Sequence, residues 1–125
     1  MKSILVVDDS RLMRLAHGQL LTKAGYAVIM ANDGEEALAL ASANQPDLIL
    51  LDMLLPKLSG PEVLQELQKN PQTAHIPVIV LSGLSQKNEL KLRQAGASGF
   101  IEKSSLEDDT SNTLLSLIRK TLESL

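Results

Sequence analysis

Short apolar runs recur along the chain, each closed by a polar residue and followed by a stretch with helical spacing. Ile4 to Val7, Leu48 to Leu51 and Pro77 to Leu81 are continuous apolar segments, the mark of strands buried on both faces. Tyr26 to Ala31 and Ser98 to Glu102 read as two further strands. Between them the spacing predicts helices. The first is capped by Ser10, carries Leu12, Ala16 and Leu20 inward, and ends at Gly25. The second follows Asn32-Asp33-Gly34, with Asp33 able to cap, presents Ala37, Leu38, Leu40 and Ala41, and is stopped by Pro46. The third begins near Gly60 or Pro61, turns Val63, Leu64 and Leu67 inward and ends near Lys69-Asn70-Pro71. A fourth, capped by Ser85, carries Glu89 and Arg93 at a favourable spacing and closes at Gly96. A fifth starts from Asp108-Asp109-Thr110, after a long polar stretch, with a core stripe of Leu115, Ile118, Leu122 and Leu125.

Strand–helix alternation implies right-handed crossovers and a parallel sheet covered on both faces. The fold class expected is α/β: a doubly wound, flavodoxin-like (βα)5 sheet ordered 2-1-3-4-5, preferred over a longer Rossmann sheet because there are five strands. In that order the winding reverses between the first and third strands, and a crevice opens at their C-terminal ends. Asp8 and Asp9 close the first strand and Asp52 closes the third, so the acidic residues flank this crevice. Ser82 ends the fourth strand and Lys103 the fifth.

Composition narrows the choices. At 125 residues the chain can bury a substantial core, and residues 1–125 read as one domain. With no cysteine there is neither a disulfide framework nor a thiolate metal site. No apolar stretch approaches membrane-spanning length, and a cytoplasmic protein without membrane contact is expected. The net charge of −3 argues against direct nucleic-acid binding, and one Tyr, one Phe and no Trp leave no stacking platform for bases. His17 and His75 stand alone and read as surface or boundary residues.

Three carboxylates at one sheet edge repel one another, and a hard divalent cation relieves the repulsion. Mg²⁺ takes oxygen ligands, so Asp9 and Asp52 with the Met53 carbonyl and water form a natural set. A carboxylate can also attack phosphorus and form an aspartyl-phosphate, a reaction that needs alignment and charge neutralisation above all. The Lys103 ammonium and the Ser82 hydroxyl suit the phosphoryl oxygens. Taken singly, each residue has a plainer reading: Asp8-Asp9 as a helix cap, Asp52 as a turn residue, Lys103 as a solvated lysine, Phe100 as core. The basic Lys87, Lys91 and Arg93 suit a partner-binding face or a solvated one.

Val6-Val7-Asp8-Asp9-Ser10, Asp52 to Gly60, Val80-Leu81-Ser82-Gly83 and Phe100-Ile101-Glu102-Lys103, in this order and each at a strand end, resemble the receiver domain of two-component response regulators, with the fold of the chemotaxis response regulator. The resemblance covers essentially the whole chain. It implies a signalling switch rather than an enzyme, although such domains catalyse their own phosphorylation and dephosphorylation. Asp52 would be the phosphoacceptor, charged by a sensor histidine kinase or phosphotransfer protein. Asp8, Asp9, Asp52 and the Met53 carbonyl would hold Mg²⁺, Asp8 mostly through water, and Lys103 and Ser82 would complete the catalytic set. Ser82 and Phe100 would form the switch pair that repacks the face of the fourth helix, fifth strand and fifth helix, which a downstream partner or fused effector reads; a homodimer is compatible with the same face.

Competing readings are a degenerate receiver that binds partners without phosphorylation, a Mg²⁺-dependent aspartyl-phosphate phosphohydrolase, and a nucleotide- or flavin-binding domain. The phosphohydrolase would want a second Asp where Leu54 stands, and a nucleotide domain would want a Gly-rich loop where Asp8-Asp9-Ser10-Arg11 stands. Three departures from the family pattern matter. Ser104 replaces the usual proline after Lys103; a cis bond to a non-proline residue costs about 2.5–4 kcal/mol, so a trans bond or a rearranged loop is expected. The stretch from Ser104 to Asn112 is long and polar, and Leu54 and Leu84 occupy positions two residues after Asp52 and Ser82. In the family those side chains border the path of the attacking water, and polar ones speed dephosphorylation. A long-lived phosphoryl state is therefore predicted: Leu54→Asn and Leu84→Glu should each shorten the phosphoryl half-life, and unchanged decay in both would refute the idea.

Overall fold

The computed structural model describes residues 2–52, 58–82, 96–102 and 108–124, with backbone only at Ser82, Phe100, Glu102 and 108–113. The elements are β1 (Ser3–Val7), α1 (Arg11–Lys23), β2 (Ala27–Ala31), α2 (Gly34–Asn44), β3 (Leu48–Asp52), α3 (Gly60–Lys69), β4 (Val78–Ser82), β5 (Gly99–Glu102) and α4 (Asp108–Glu123). All strand pairs are parallel and the order is β2-β1-β3-β4-β5, as the alternation predicts. Helix α4 is the fifth of the predicted helices; the fourth, over 85–95, lies outside the described residues.

The strands are apolar without interruption because both faces are covered, and alternate residues serve different halves of the core. Leu5, Val7, Ile49, Leu51, Val78 and Val80 pack with Ala37 and Ala41 of α2 and with Val63, Leu64 and Leu67 of α3. Ile4, Val6, Leu48, Leu50, Ile79, Leu81 and Ile101 pack with Leu21 of α1 and with Leu114 and Ile118 of α4. Each such side chain contributes roughly 1.5–3 kcal/mol when fully buried.

Local chemistry sets the helix ends. Ser10 caps α1 by accepting from the Met13 N–H, and Gly25 follows its end at φ 98°, where a side chain is strained. Asp33 caps α2 by accepting from the Glu36 N–H at 2.8 Å, and Gln45 ends that helix in a left-handed conformation before Pro46. At α3 the Ser59 and Glu62 side chains and backbones bond reciprocally in a capping box, a Ser-x-x-Glu signal that a reading centred on Pro61 overlooks.

Expectations about the faces of α1 and α4 need correction. In α1 the buried residues are His17, Gly18 and Leu21, with Leu20 packed against the core as expected, while Leu12 is 77% exposed and Ala16 is exposed. His17 is therefore buried, at 4% exposure, and not a surface residue; His75 is exposed as expected. Gly18, on the same side of the helix, lies against the Met30 methyl, the flexible end of a partly exposed side chain that a Cβ would displace. In α4 the deepest residues are Leu114 and Ile118, with Leu115 and Leu122 only partly buried; Leu125 lies outside the described residues. In α2 the expected face is found: Ala37 and Ala41 are buried, and Leu38 and Leu40 pack against the same core.

Gly34 opens α2 beneath the loop leading to α3. A Cβ there would lie 2.7 Å from Leu58 Cβ, 2.8 Å from Val63 Cγ2 and 2.9 Å from the Leu58 carbonyl. Helix propensity alone favours alanine over glycine by about 1 kcal/mol, but overpacking costs about 1–3 kcal/mol. Gly34→Ala is predicted to lower the urea midpoint; a raised midpoint would show that the loop yields freely.

Candidate functional site

The site forms where β1 and β3 end. Their register pairs Val7 with Leu51, so the next residues, Asp8 and Asp52, are neighbours across the strands. Asp8 extends the ladder by donating its N–H to the Ala31 carbonyl at 3.1 Å. Its Oδ1 accepts from the Ser10 N–H at 2.9 Å, and its carbonyl accepts from Arg14 Nη1 at 2.7 Å. These contacts tie the β1–α1 turn to the first turns of α1 and fix the Asp8 carboxylate toward β3. Asp8 and Asp52 are buried, at 1% and 3% exposure, whereas Asp9 is exposed at the mouth.

Carboxylate oxygens of Asp8, Asp9 and Asp52 all lie within 4.8 Å of one another. Like unit charges 4 Å apart repel by about 4 kcal/mol at the effective dielectric of a protein surface, so a burial-weighted cluster of this kind favours a bound cation. The donors are hard oxygens, two on strand ends and one on the adjoining turn. That set suits a cation such as Mg²⁺, which is held by a few carboxylates and keeps water on its other positions.

The sequence profile of the family "Response regulator receiver domain" matches residues 4–115, from within β1 into α4. The chain belongs to the response regulator receiver domains. Members of this family are signalling switches of two-component systems, and phosphorylation and Mg²⁺ binding are general features of the family. The receiver is 39% identical over 103 residues to the polar-differentiation response regulator DivK of Brucella anthropi, covering 82% of this chain and 84% of that one. It superposes on chemotaxis protein CheY4 of Vibrio cholerae with a TM-score of 0.86 at 30% identity, over 96% of this chain and 98% of that one. A response regulator from Desulfuromonas acetoxidans gives a TM-score of 0.85 at 35% identity, over 100% and 99% of the two chains.

The receiver's other candidate residues divide between described and undescribed parts. In the β3–β4 register Asp52 lies opposite Leu81, and Ser82 follows, opposite Glu102 at the end of β5. The backbone of Ser82 is thus at the same sheet edge as the carboxylates, and Phe100 lies within β5 opposite Val80. Their side chains, and all of Met53, Leu54, Leu84, Lys103 and Ser104, lie outside the described residues. One contributor was overlooked in the sequence. Arg14 reaches back six positions to the Asp8 carbonyl, a spacing that corresponds to no regular helix contact and leaves no sequence signal.

Because Asp9 is exposed and makes up the outer part of the cluster, its charge can be removed without losing the turn contacts of Asp8. In chelator, Asp9→Asn is predicted to melt a few degrees above the parent, with the added Mg²⁺ shift much reduced. A variant melting below the parent in chelator would show that repulsion among the carboxylates is not significant.

Proposed function

We propose that this receiver is a phosphorylation-activated switch in which Asp52 accepts a phosphoryl group from a phosphohistidine of a sensor kinase or phosphotransfer protein. The observation that carries the reading is the three-carboxylate cluster at the β1 and β3 ends. In the transfer an Asp52 carboxylate oxygen forms the new O–P bond while the P–N bond to the donor imidazole breaks, and the imidazole keeps that electron pair. Asp8, Asp9, Asp52 and the Met53 carbonyl would hold Mg²⁺, which when bound supplies positive charge against the carboxylates and the phosphoryl oxygens.

The chain's own residues do the positioning. The contacts from Ser10 and Arg14 hold the Asp8 end of the cluster, and the β3 ladder holds Asp52 at a defined depth beneath the surface. Lys103 provides a point charge for a phosphoryl oxygen, and Ser82 donates to another. Ser82 and Phe100 then serve as the switch pair, and the face that includes β5 and α4 is read by a downstream protein or effector. Phosphorylation shifts this equilibrium only by its different interaction with the two states.

Intact mass after incubation with acetyl phosphate tests the proposal. The parent should gain one phosphoryl group in Mg²⁺ and none in chelator, and Asp52→Ala should gain none in either. A parent that takes up neither the phosphoryl group nor, in Mg²⁺, beryllofluoride would be a degenerate receiver.

A further inference from the structure

Strand β2 is an outer strand of the sheet, and nothing in its sequence guards its outer edge. Ala27-Val28-Ile29-Met30-Ala31 contains no charge and no proline, and its register with β1 runs without a bulge. Those are the devices by which outer strands ordinarily avoid pairing with another chain. We propose that a second copy of this chain pairs on this edge, β2 against β2, antiparallel about a two-fold axis beside Ile29.

The backbone specifies the register. The Ala27 N–H donates to the Lys2 carbonyl, and the Ala31 carbonyl accepts from Asp8, so odd-numbered residues face β1. Val28 and Met30 therefore direct N–H and C=O outward. The next outward residues are already engaged: the Tyr26 N–H donates to the Leu21 carbonyl at 3.1 Å and the Asn32 N–H to Glu36 Oε1 at 3.0 Å. An antiparallel mate centred on Ile29 sets Val28 opposite the second copy's Met30, and each such pair exchanges both hydrogen bonds.

Charge selects the same orientation. Exposed Lys2 and Lys23 flank the start of β2, and exposed Glu35 and Glu36 follow its end. Antiparallel pairing brings the basic end of one copy to the acidic end of the other, whereas parallel pairing would set carboxylates against carboxylates. Side chains complete the contact. Met30 is 38% exposed and lies against Gly18, beside an open groove of about 690 Å³ along Leu15 and Gln19 of α1. Helix α1 packs over β1 and β2. A two-fold at the β2 edge would bring the two α1 helices side by side on the same face of the joined sheet. Leu15, 46% exposed, would then be covered.

Sedimentation velocity over a wide concentration series, joined to amide hydrogen exchange at low and high concentration, tests this. The average mass should rise toward twice the monomer, and exchange at Val28 and Met30 should slow as concentration rises. Met30→Lys, at an exposed site, should move the midpoint at least tenfold higher in concentration and abolish the slowing. Met30→Pro, which removes the outward N–H and spares the hydrogen bonds to β1, should do the same, with circular dichroism confirming the fold of both variants. A monomer at every concentration, or a dimer that neither variant weakens, overturns the proposal.

Discussion

The parallel pairing of β1 with β3 is the constraint on which both core and site depend. Its register sends Leu5, Val7, Ile49 and Leu51 to one face and Ile4, Val6, Leu48 and Leu50 to the other. A one-residue slip would exchange those faces for an entire strand, so packing holds the register firmly. The same register sets Asp8 beside Asp52. The two halves of the hydrophobic core thus determine the geometry of a charged cluster to which they contribute no polar atom.

That cluster works against the fold that builds it. Buried Asp8 and Asp52, with Asp9 at the mouth, concentrate like charge at one edge of the sheet. Asp8 is steadied by the Ser10 N–H and by Arg14 at its carbonyl, contacts that orient the group without removing its charge. A cation bound at such a cluster would act on the structure only through its different interaction with the two states.

Helix α1 links three regions. Its first turns hold the site through Ser10 and Arg14, its middle packs on the sheet through His17, Gly18 and Leu21, and its outer side leaves Leu12 and Leu15 at the surface beside Met30. On this side of the helix Gly18 lies against the Met30 methyl of β2. The outer surface of α1 and the open edge of β2 are consequently one continuous feature.

The strands, their order, most helix caps and the meeting of Asp8, Asp9 and Asp52 were legible in the sequence. Strands buried on both faces tolerate no polar residue, so uninterrupted runs mark them and the first polar residue after each marks the functional edge. The capping box at Ser59 and Glu62 is equally legible, as a Ser-x-x-Glu spacing spanning Pro61. Helix rotation was not legible. Apolar residues of α1 stand at 12, 13, 15, 16, 20 and 21, on more than one side of the helix, and periodicity does not choose between them. In the structure His17, Gly18 and Leu21 turn toward the sheet, with Gly18 beside Met30. By itself the sequence determined which segments become strands and where their carboxylates end. Only the tertiary structure decided which side of each helix faces the sheet, because that depends on contacts between residues distant in the chain.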